Sequence, residues 1–171
     1  MNTSALALDF DRIEKGFVQL RSPWKVAAFT ATMMPLGAMA GLRIDHVDRD
    51  GCVTSLPGGW RTQNPFKSMF WAAQGMAAEM ATGVPALVGV REAPVPVRMI
   101  LAGCEGQFVR MCKTRARFVF ERADLVWEAL ETTLATGESV ECPLPVVGYD
   151  AHGEEVSRWR FTWSFRARLP E

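Results

Sequence analysis

Apolar residues recur at two different spacings along the chain, and each spacing predicts a different kind of element. Residues 5–20 carry an apolar residue on nearly every turn of a helix, namely Leu6, Phe10, Ile13, Phe17 and Leu20. Near the C-terminus, apolar and polar residues alternate instead, so that one face of a predicted strand carries Trp159, Phe161, Trp163 and Phe165. The chain therefore combines helices with strands that bury one face.

Shorter alternating segments predict the other strands of an antiparallel sheet. Residues 42–47 and 52–56 flank a turn ending at Gly51 and are predicted to pair as a hairpin. Further strands are expected at 97–111, 114–121 and 140–149. Glycines at 103 and 106 indicate a bulge or curvature, and prolines at 143 and 145 favour an edge strand or an irregular start. No β-α-β alternation is present, which disfavours a parallel sheet.

Two shorter helical segments complete the predicted architecture. One covers part of 26–34 and is expected to break at Pro35 and Gly37, and the other covers 124–134, with Asp124 as its N-cap and Gly137 as its end. The 171 residues fit a single domain, with 1–40 as a helical N-terminal extension and 41–168 as the core. The predicted class is α+β: about six antiparallel strands with one buried helix inserted after the second strand.

That buried helix is predicted within residues 64–83, where no charged side chain lies between Lys67 and Glu79. A helix that is apolar nearly all round is usually buried, and a carboxylate on it costs free energy unless it is paired or protonated. We therefore expect burial to raise the pKa of Glu79. Two interpretations stay open at this point: a catalytic carboxylate, or a structural one that caps a hydrogen-bond network or pairs with an arginine.

Small and polar residues form one stripe of this helix, which comprises Ser68, Ala72, Gly75, Glu79 and Thr82. The missing side chain at Gly75, one turn before Glu79, is expected to leave space beside the carboxylate. The helix begins either with Asn64 as N-cap and Pro65 at the first position, or nearer Ser68 with Asn64 in the loop. In both cases free backbone N–H groups at this end suit an oxyanion or a phosphate.

Composition and charge remove several other classes of function. Nineteen basic and nineteen acidic side chains cancel, so nothing in the net charge indicates a nucleic-acid or anionic-membrane partner. The apolar segment 26–42 is about 17 residues long and contains Pro35, so we expect no membrane span. The first residues lack the pattern of a signal peptide, and the protein is expected to be cytoplasmic. The four cysteines and two histidines show no zinc spacing, which predicts no metal site.

The order of these elements resembles the hotdog fold, in which a curved antiparallel sheet wraps round one central helix. The segment from Asn64 to Gly83 is similar to the core motif of hotdog acyl-CoA thioesterases of the PaaI type, where an Asn precedes a His-Gly-Gly helix start and an acid follows. Asn64 and Glu79 have the matching spacing, but Trp71, Ala72 and Ala73 occupy the His-Gly-Gly positions. Residues 67–69, 106–108 and 159–165 look more like the uncharacterised DUF4442 branch, and the resemblance covers most of 40–168.

The resemblance implies an acyl-CoA thioesterase whose site lies at the interface of a homodimer or a dimer of dimers. Glu79 would be the base or nucleophile, Asn64 would position water or substrate, and the amides near Ala72 and Ala73 would stabilise the oxyanion. Ser68, Trp71 and Gly75 would contact the substrate, an acyl-CoA or acyl-carrier thioester, and no cofactor is expected beyond coenzyme A within that substrate. Trp71 would narrow the mouth or stack on a ligand, although a lone Trp here is also typical of a core.

The missing His-Gly-Gly favours a second class of function, a non-catalytic hotdog protein that binds an acyl chain, an acyl-thioester or a lipid. A dehydratase is disfavoured because no histidine lies near the central helix, and Ser68 lacks the G-x-S-x-G setting of a serine hydrolase. The arginines at 115, 117, 158, 160, 166 and 168 are expected to form a solvated sheet face paired with Glu121, Glu141 and Glu155. The functional alternative is contact with the phosphates of coenzyme A.

Overall fold

The computed structural model describes residues 6–169 of the chain. Its elements follow in the order α1 (Phe10–Leu20), α2 (Pro23–Met33), α3 (Pro35–Ala40), β1 (Arg43–Val47), β2 (Cys52–Leu56), α4 (Trp71–Glu92), β3 (Val97–Phe108), β4 (Ala116–Phe120), α5 (Ala123–Thr136), β5 (Ser139–Tyr149) and β6 (Glu155–Ala167).

The strands form a single sheet in the order β1-β2-β4-β5-β6-β3, and every neighbouring pair is antiparallel. Helix α4 contacts five of the six strands from one face of the sheet, and α5 packs beside it over β5 and β6. Helix α1 also packs on α4. The predicted architecture of about six antiparallel strands round one central helix, with extra N-terminal helices, is therefore confirmed.

Strand β6 shows why the sheet has one buried face. Its aromatic residues point toward α4, and Phe161 and Phe165 are fully buried. The alternating residues, among them Arg160 and Arg166, are exposed on the opposite face. Burying a large aromatic side chain contributes about 1.5–3 kcal/mol, so a shift of this strand by one residue would be strongly unfavourable.

The central helix begins later and ends later than the sequence predicts. It starts at Trp71, after either predicted start, and continues through Pro85 to Glu92. A proline inside a helix removes one backbone hydrogen bond and costs about 3 kcal/mol or more. Eleven residues of α4 are buried, including Pro85 itself, and this packing outweighs the local cost. The proline at 85 therefore does not end the helix.

The N-terminal helices also differ from their predicted bounds. Residue 5, where the first helix was expected to begin, lies outside the described residues, and α1 begins at Phe10. Asp9 caps it, since its Oδ1 accepts hydrogen bonds from the amides of Asp11 and Arg12 at 3.0 and 3.2 Å. Pro35 breaks the helical pattern, as predicted, and it also begins a new helix. It occupies the first position of α3, where its missing N–H costs nothing.

The prolines of β5 lie where that strand is locally at an edge, although β5 is an interior strand in the sheet order. Residues 147–149 pair with β4, whereas Pro143 and Pro145 pair only with β6. Proline has no backbone N–H to donate to a neighbouring strand. Because no second strand lies beside these two prolines, the sheet loses no hydrogen bond there. The predicted edge position is correct for this half of the strand alone.

Three smaller predictions meet different outcomes. The ladder between β3 and β6 shifts register between Leu101 and Gly103, which confirms the predicted irregularity. Gly137 ends α5 with φ of 74°, the left-handed conformation that glycine adopts without strain. The prediction of Asp124 as N-cap is wrong: α5 begins at Ala123, and the Asp124 carboxylate instead binds the Arg122 side chain at 2.8 Å.

Candidate functional site

The loop before α4 is organised by the side chain of Asn64. Its Oδ1 accepts hydrogen bonds from the amides of Phe66 and Ser68 at 3.0 and 3.3 Å and from the Ser68 hydroxyl at 3.2 Å. The Asn64 backbone N–H donates to the Ser68 carbonyl at 2.8 Å, which closes a tight turn in which Lys67 has a φ of 60°. Asn64 is therefore not the helix N-cap. Its oxygen holds the loop, and its amide nitrogen has no acceptor among residues 6–169.

Free amides lie at the start of α4, which is later than either helix start that the sequence predicts. Phe70 precedes the helix in extended conformation, and no side chain caps it. The loop is held because the amides of Met69 and Phe70 donate to the carbonyls of Cys112 and Thr62 at 2.6 and 2.7 Å. Within the part of the chain that the structure describes, the first-turn amides from Trp71 to Ala73 have no acceptor. They are available to a ligand oxygen.

Glu79 lies two turns further along α4 and is half-buried. Burial raises the pKa of its carboxyl group above the usual value, as the sequence analysis expects. No residue between 6 and 169 donates a hydrogen bond to its carboxylate or forms an ion pair with it. The structural interpretation, a pair with an arginine, is therefore not realised within the described chain.

The surroundings of Glu79 are small or aromatic. A Cβ placed on Gly83 would lie 3.6 Å from the Glu79 Oε1 and 3.3 Å from the Trp163 ring. The thiol of Cys104, on β3, has its pKa raised by burial and, secondarily, by the charge of Glu79. Glu79 thus lies on the side of α4 that faces β3 and β6. Thr82, predicted on the same stripe, is buried and accepts a hydrogen bond from the Trp163 indole at 2.9 Å.

The space expected at Gly75 is filled by another side chain. A Cβ at Gly75 would lie 3.1 Å from the ring of Trp159, so the missing side chain admits this indole and not a ligand. Trp159 stacks on Phe161, with ring centroids 5.9 Å apart, and meets the ring of Phe108 edge-on at 5.4 Å. Gly75 is therefore a packing residue in one protomer, and the expected opening beside Glu79 is absent there.

A cavity of about 360 Å³ lies at the start of α4 and contains three of the predicted site residues, Asn64, Ser68 and Trp71. Its other walls are Met69, Gln74 and the segment 108–112 that follows β3. The Trp71 side chain is 59% exposed, which rules out the core interpretation for this residue. Most of the lining is apolar, and it also includes the polar residues Asn64, Ser68, Gln74 and Arg110, a mixture typical of a ligand pocket.

Sequence reasoning missed Gln74, which forms part of this wall. Gln74 is 3% exposed, and its Nε2 donates to the Met69 carbonyl at a long 3.4 Å. Its Oε1 is the one buried side-chain oxygen or nitrogen without a hydrogen-bond partner in residues 6–169. An unpaired buried acceptor costs about 1–3 kcal/mol. The available signal was that Gln74 and Glu79 are the only long polar side chains between Lys67 and Gly83.

The structure brings Asn64, Ser68 and Trp71 together but leaves Glu79 apart from them. Eight residues separate Trp71 from Glu79, and at 1.5 Å per residue this is about 12 Å along the helix axis. Glu79 does not line the 360 Å³ cavity. Within one protomer, therefore, the predicted acid and the predicted oxyanion donors do not face a common point.

The arginine-rich face of the sheet is partly neutralised. Arg158 binds Glu155 at 2.6 Å and Arg160 binds Glu105 at 3.1 Å. Arg115 binds Asp45 at 3.0 Å. The predicted cross-strand pairs with Glu121, Glu141 and Glu155 are not formed within the described chain: Glu155 binds Arg158 three residues later on the same strand, and Glu121 and Glu141 form no ion pair with an arginine.

Two further absences hold for residues 6–169. No group of three or more histidine, cysteine, aspartate or glutamate side chains is placed to hold a metal ion. No helix is both long and apolar enough to cross a bilayer. The cysteines at 52, 104, 112 and 142 are all unpaired, and only Cys104 is exposed.

Comparisons with known proteins agree with this architecture. Residues 22–165 match the family described as a domain of unknown function, DUF4442. Searching the curated proteins gives no match. Among solved structures, PA5026 from Pseudomonas aeruginosa, a protein of unknown function, superposes with a TM-score of 0.68 at 19% identity, covering 86% of this chain and 97% of the other.

Two hotdog proteins with assigned names also superpose. The thioesterase HI1161 from Haemophilus influenzae has a TM-score of 0.60 at 11% identity, with 88% of this chain and 94% of the other covered. The E. coli PaaI protein from the phenylacetic acid degradation operon has a TM-score of 0.57 at 10% identity, with 86% and 93% covered. At identities this low, the structural similarity establishes the hotdog fold, and the reaction has to be argued from the site.

Proposed function

The chain belongs to the DUF4442 family and has the hotdog fold, and on this basis we propose that it hydrolyses acyl-thioesters. The observation that carries the proposal is the Glu79 carboxylate, which is half-buried, without a partner in the described chain and raised in pKa. A carboxylate with a raised pKa is a better proton acceptor near neutral pH than an ordinary exposed one. Resemblance to named thioesterases supports the same class of reaction.

The proposed reaction needs only a water molecule and the thioester. Glu79 accepts a proton from water while the water oxygen attacks the thioester carbonyl carbon. The developing oxyanion is bound by the free amides at Ala72 and Ala73, and Asn64 donates from its amide nitrogen to the substrate or the water. The tetrahedral intermediate then breaks its carbon–sulfur bond while the proton held by Glu79 passes to the leaving sulfur, which releases the carboxylic acid and the thiol and restores the Glu79 carboxylate. Direct attack by Glu79 on the carbonyl is the alternative chemistry for the same residue.

Two copies of the chain are needed to assemble this site, since the amides of Ala72 and Ala73 lie about 9–11 Å from Glu79 along one helix. Strand β3 is where a second copy would bind. It is at the edge of the sheet, and Ile100, Leu101 and Phe108 on it are 66%, 38% and 53% exposed. Pairing two β3 strands across a two-fold axis would place Glu79 of one copy toward the helix start of the other. We therefore propose a homodimer, or a dimer of such dimers.

The 360 Å³ cavity is the proposed acyl-binding pocket. Trp71, Phe108 and Met111 supply its apolar surface, and Trp71 replaces the histidine found at this position in PaaI-type enzymes. Coenzyme A enters the proposal only as the leaving group of the substrate. No cofactor is required.

A second candidate function rests on the same cavity. Trp71 at the helix start offers an aromatic surface where a catalytic family would place histidine, and this favours a protein that holds an acyl chain or acyl-thioester without cleaving it. The two functions differ in one observable, turnover.

The deciding experiment measures thiol release from a panel of acyl-CoA thioesters, from short to long and aromatic chains. We expect hydrolysis by the wild type and a loss of about 10²–10⁴-fold in kcat for Glu79→Gln, the usual contribution of a general base. Glu141→Gln is the matched control, because Glu141 is exposed and forms no ion pair in the described chain. A blank without substrate is needed because the exposed Cys104 thiol also reacts with thiol reagents.

Full activity in Glu79→Gln would remove Glu79 from the mechanism. An absence of turnover on every substrate would exclude hydrolysis of those thioesters, and mass spectrometry of ligands that co-purify would then test the binding function.

A further inference from the structure

Helix α2 exposes apolar side chains where a surface helix usually exposes polar ones. Only Val26 and Thr30 of its eleven residues are buried. Of its exposed residues only Lys25 and Thr32 are polar, whereas a helix that packs on a domain with one face normally carries charged and polar residues on the other. The short helix α3 that follows also exposes a large apolar side chain, Leu36. The packing of one protomer does not account for this outer face.

The loop after β2 extends this apolar surface. The Arg61 Nη1 lies 3.7 Å from the position that a Cβ on Gly41, at the end of α3, would take. Arg61 also lines a cavity of about 750 Å³ together with Trp24 of α2. The large apolar side chains of α2, α3 and this loop segment are 68–80% exposed, and they are Trp24, Met33, Leu36, Met39 and Trp60. We call these five, with the basic residues Lys25, Arg43 and Arg61, the N-terminal patch.

The charge of this patch has one sign, although the acidic and basic residues of the whole chain cancel. No aspartate or glutamate occurs in residues 15–44 or 51–78. These two segments nevertheless contain four and two basic residues, respectively. The net charge of the chain therefore conceals a local excess of positive charge on the segments that build the patch.

The basic residues of the patch are not neutralised by the part of the chain that the structure describes. Lys25, Arg43 and Arg61 are exposed, and no carboxylate of residues 6–169 forms an ion pair with any of them. The one acid that lines the 750 Å³ cavity, Asp45, is bound to Arg115 at 3.0 Å. The patch thus combines exposed apolar side chains with uncompensated positive charge.

This combination distinguishes between possible occupants. A second copy bound through the same patch would bring like charges together, since a two-fold interface uses the same surface on both copies. An anionic bilayer surface instead offers negative headgroups to the basic residues and an apolar layer to the other side chains. Tryptophan favours the boundary between the two, and each tryptophan of the patch has a cation beside its ring, Lys25 at 5.7 Å from Trp24 and Arg61 at 5.8 Å from Trp60.

The length of the helices decides how they would meet such a surface. Helix α2 has eleven residues and is about 16 Å long, which is roughly half of the ~30 Å apolar layer of a bilayer. Helix α3 has six residues. Both helices therefore suit a position along the surface, with their exposed apolar side chains directed into the headgroup region.

We propose that the N-terminal patch docks the protein on the surface of a bilayer that contains anionic phospholipids. Its exposed apolar side chains insert between the headgroups, and its three basic residues contact the lipid phosphates. The 750 Å³ cavity beside the patch shares no lining residue with the 360 Å³ acyl pocket. The proposal goes beyond thioester hydrolysis and does not depend on it, because docking on a bilayer is measured without a thioester.

Flotation of the full chain with lipid vesicles tests this proposal. One set of vesicles contains phosphatidylcholine alone, and the other contains equal parts of phosphatidylcholine and the anionic lipid phosphatidylglycerol. We expect the protein to partition onto the mixed vesicles at least about tenfold more strongly, since each basic residue near an anionic surface adds to the affinity. Raising the salt concentration should weaken this partitioning, because salt screens the charges.

A pair of double variants tests the charges of the patch. Lys25→Gln/Arg61→Gln should lower partitioning onto the mixed vesicles at least about tenfold. Arg166→Gln/Arg168→Gln is the matched control, because both arginines are exposed and form no ion pair in the described chain. They lie at the end of β6, four strands from β1 in the sheet, and their removal should change partitioning less than about twofold, since distant charges are screened.

A second pair of variants tests the apolar side chains. Leu36→Ser/Met39→Ser should lower partitioning at least about tenfold, because inserted apolar surface contributes to binding. Val109→Ser/Met111→Ser, which removes exposed apolar side chains beside the acyl pocket, is its control and should leave partitioning unchanged. Vesicles with brominated lipids give a readout that does not depend on these variants: they should quench the tryptophan emission of the wild type, and this quenching should fall in Trp24→Phe.

Several outcomes would overturn the proposal. The wild type could fail to float with the mixed vesicles, or it could float equally with both kinds of vesicle. Equal losses in the patch variants and their controls would place the bilayer contact elsewhere on the molecule. A lower oligomer mass of Leu36→Ser/Met39→Ser, measured by light scattering without lipid, would assign the patch to a second copy of the chain.

Discussion

The two edges of the sheet are built in opposite ways. Strand β1 is five residues long, carries Arg43 and Asp45, contains a bulge between Ile44 and His46, and is contacted by α1 and α2. Strand β3 is twelve residues long, and large apolar side chains on it are exposed. Short, charged, bulged or covered edges prevent strand addition, whereas a long apolar edge invites it. The comparison shows one edge that is closed to strand addition and one that is open to it, as the proposed homodimer requires.

The two sides of α4 differ in a similar way, in how tightly they are packed. Near its C-terminal end the helix packs tightly on α5, where a Cβ at Gly89 would lie 2.5 Å from Leu130 and 2.8 Å from Trp127. On the side toward β3, the corresponding close neighbour of Gly75 is a single indole, Trp159. The half-buried Glu79 lies on this looser side. The Glu79 carboxylate, which has no partner in residues 6–169, therefore lies beside the open edge, where a second chain can complete its environment.

The largest expected effect comes from adding a charge to the open edge. Ile100→Lys would place a charged side chain in a paired β3–β3 interface, and we expect the dimer to separate into monomers. Thiol release should fall by more than about tenfold, because each proposed site needs both copies. Light scattering after size-exclusion chromatography measures the mass. His46→Lys, on the closed edge, is the control and should remain dimeric. A wild type that is monomeric at assay concentration yet active would contradict the shared site.

A smaller effect distinguishes the two sides of α4. Gly89→Ala should lower the free energy of unfolding by about 1–3 kcal/mol, because the added methyl group overpacks against Leu130 and Trp127. The higher helix propensity of alanine offsets up to about 1 kcal/mol of this loss. Gly75→Ala requires the Trp159 ring to move by only a few tenths of an ångström, so its change should stay within about 1 kcal/mol. Urea unfolding of both variants gives the values. Equal costs would show that α4 packs as tightly on the open side as on the closed one.

The smallest expected effect is the dependence of stability on pH at Glu79. The pKa of Glu79 is raised in the folded protein, so ionisation of Glu79 at higher pH lowers the free energy of unfolding. Below the ordinary carboxyl pKa, Glu79 is protonated in both the folded and the unfolded protein, and this cost vanishes. Glu79→Gln should therefore raise the melting temperature by a few degrees at about pH 8 and by almost nothing at about pH 4. Thermal unfolding of Glu79→Gln beside Glu141→Gln measures this. The opposite trend would mean that Glu79 is stabilised as an anion.

Local patterns sufficed for most of the fold and for part of the site. The alternation of residues 159–165 placed four aromatics on one face, and the absence of charge before Glu79 identified both the buried helix and its acid. These signals are strong because burial of one face imposes a period of two on a strand, and a buried carboxylate is too costly to occur without a reason.

Other features depended on contacts between residues far apart in sequence. The helix continues through Pro85 because eleven buried residues hold it, and Gly75 faces Trp159, 84 positions later, and not open space. The burial of Gln74 beside the 108–112 segment has the same origin. Periodicity reports which face of an element is buried and not what covers it, so these partners could not be read from local patterns.

The amino-acid sequence by itself determined the classes of element, their order, the antiparallel sheet and the position of Glu79 on the central helix. Tertiary structure alone decided which arginines meet a carboxylate on a neighbouring strand: Arg160 binds Glu105 across the β3–β6 ladder, while Arg98 and Arg166 face each other. The physical reason is that hydrophobic burial acts on every residue of an element and leaves a periodic record. An ion pair depends on the register of two strands, which no single segment encodes.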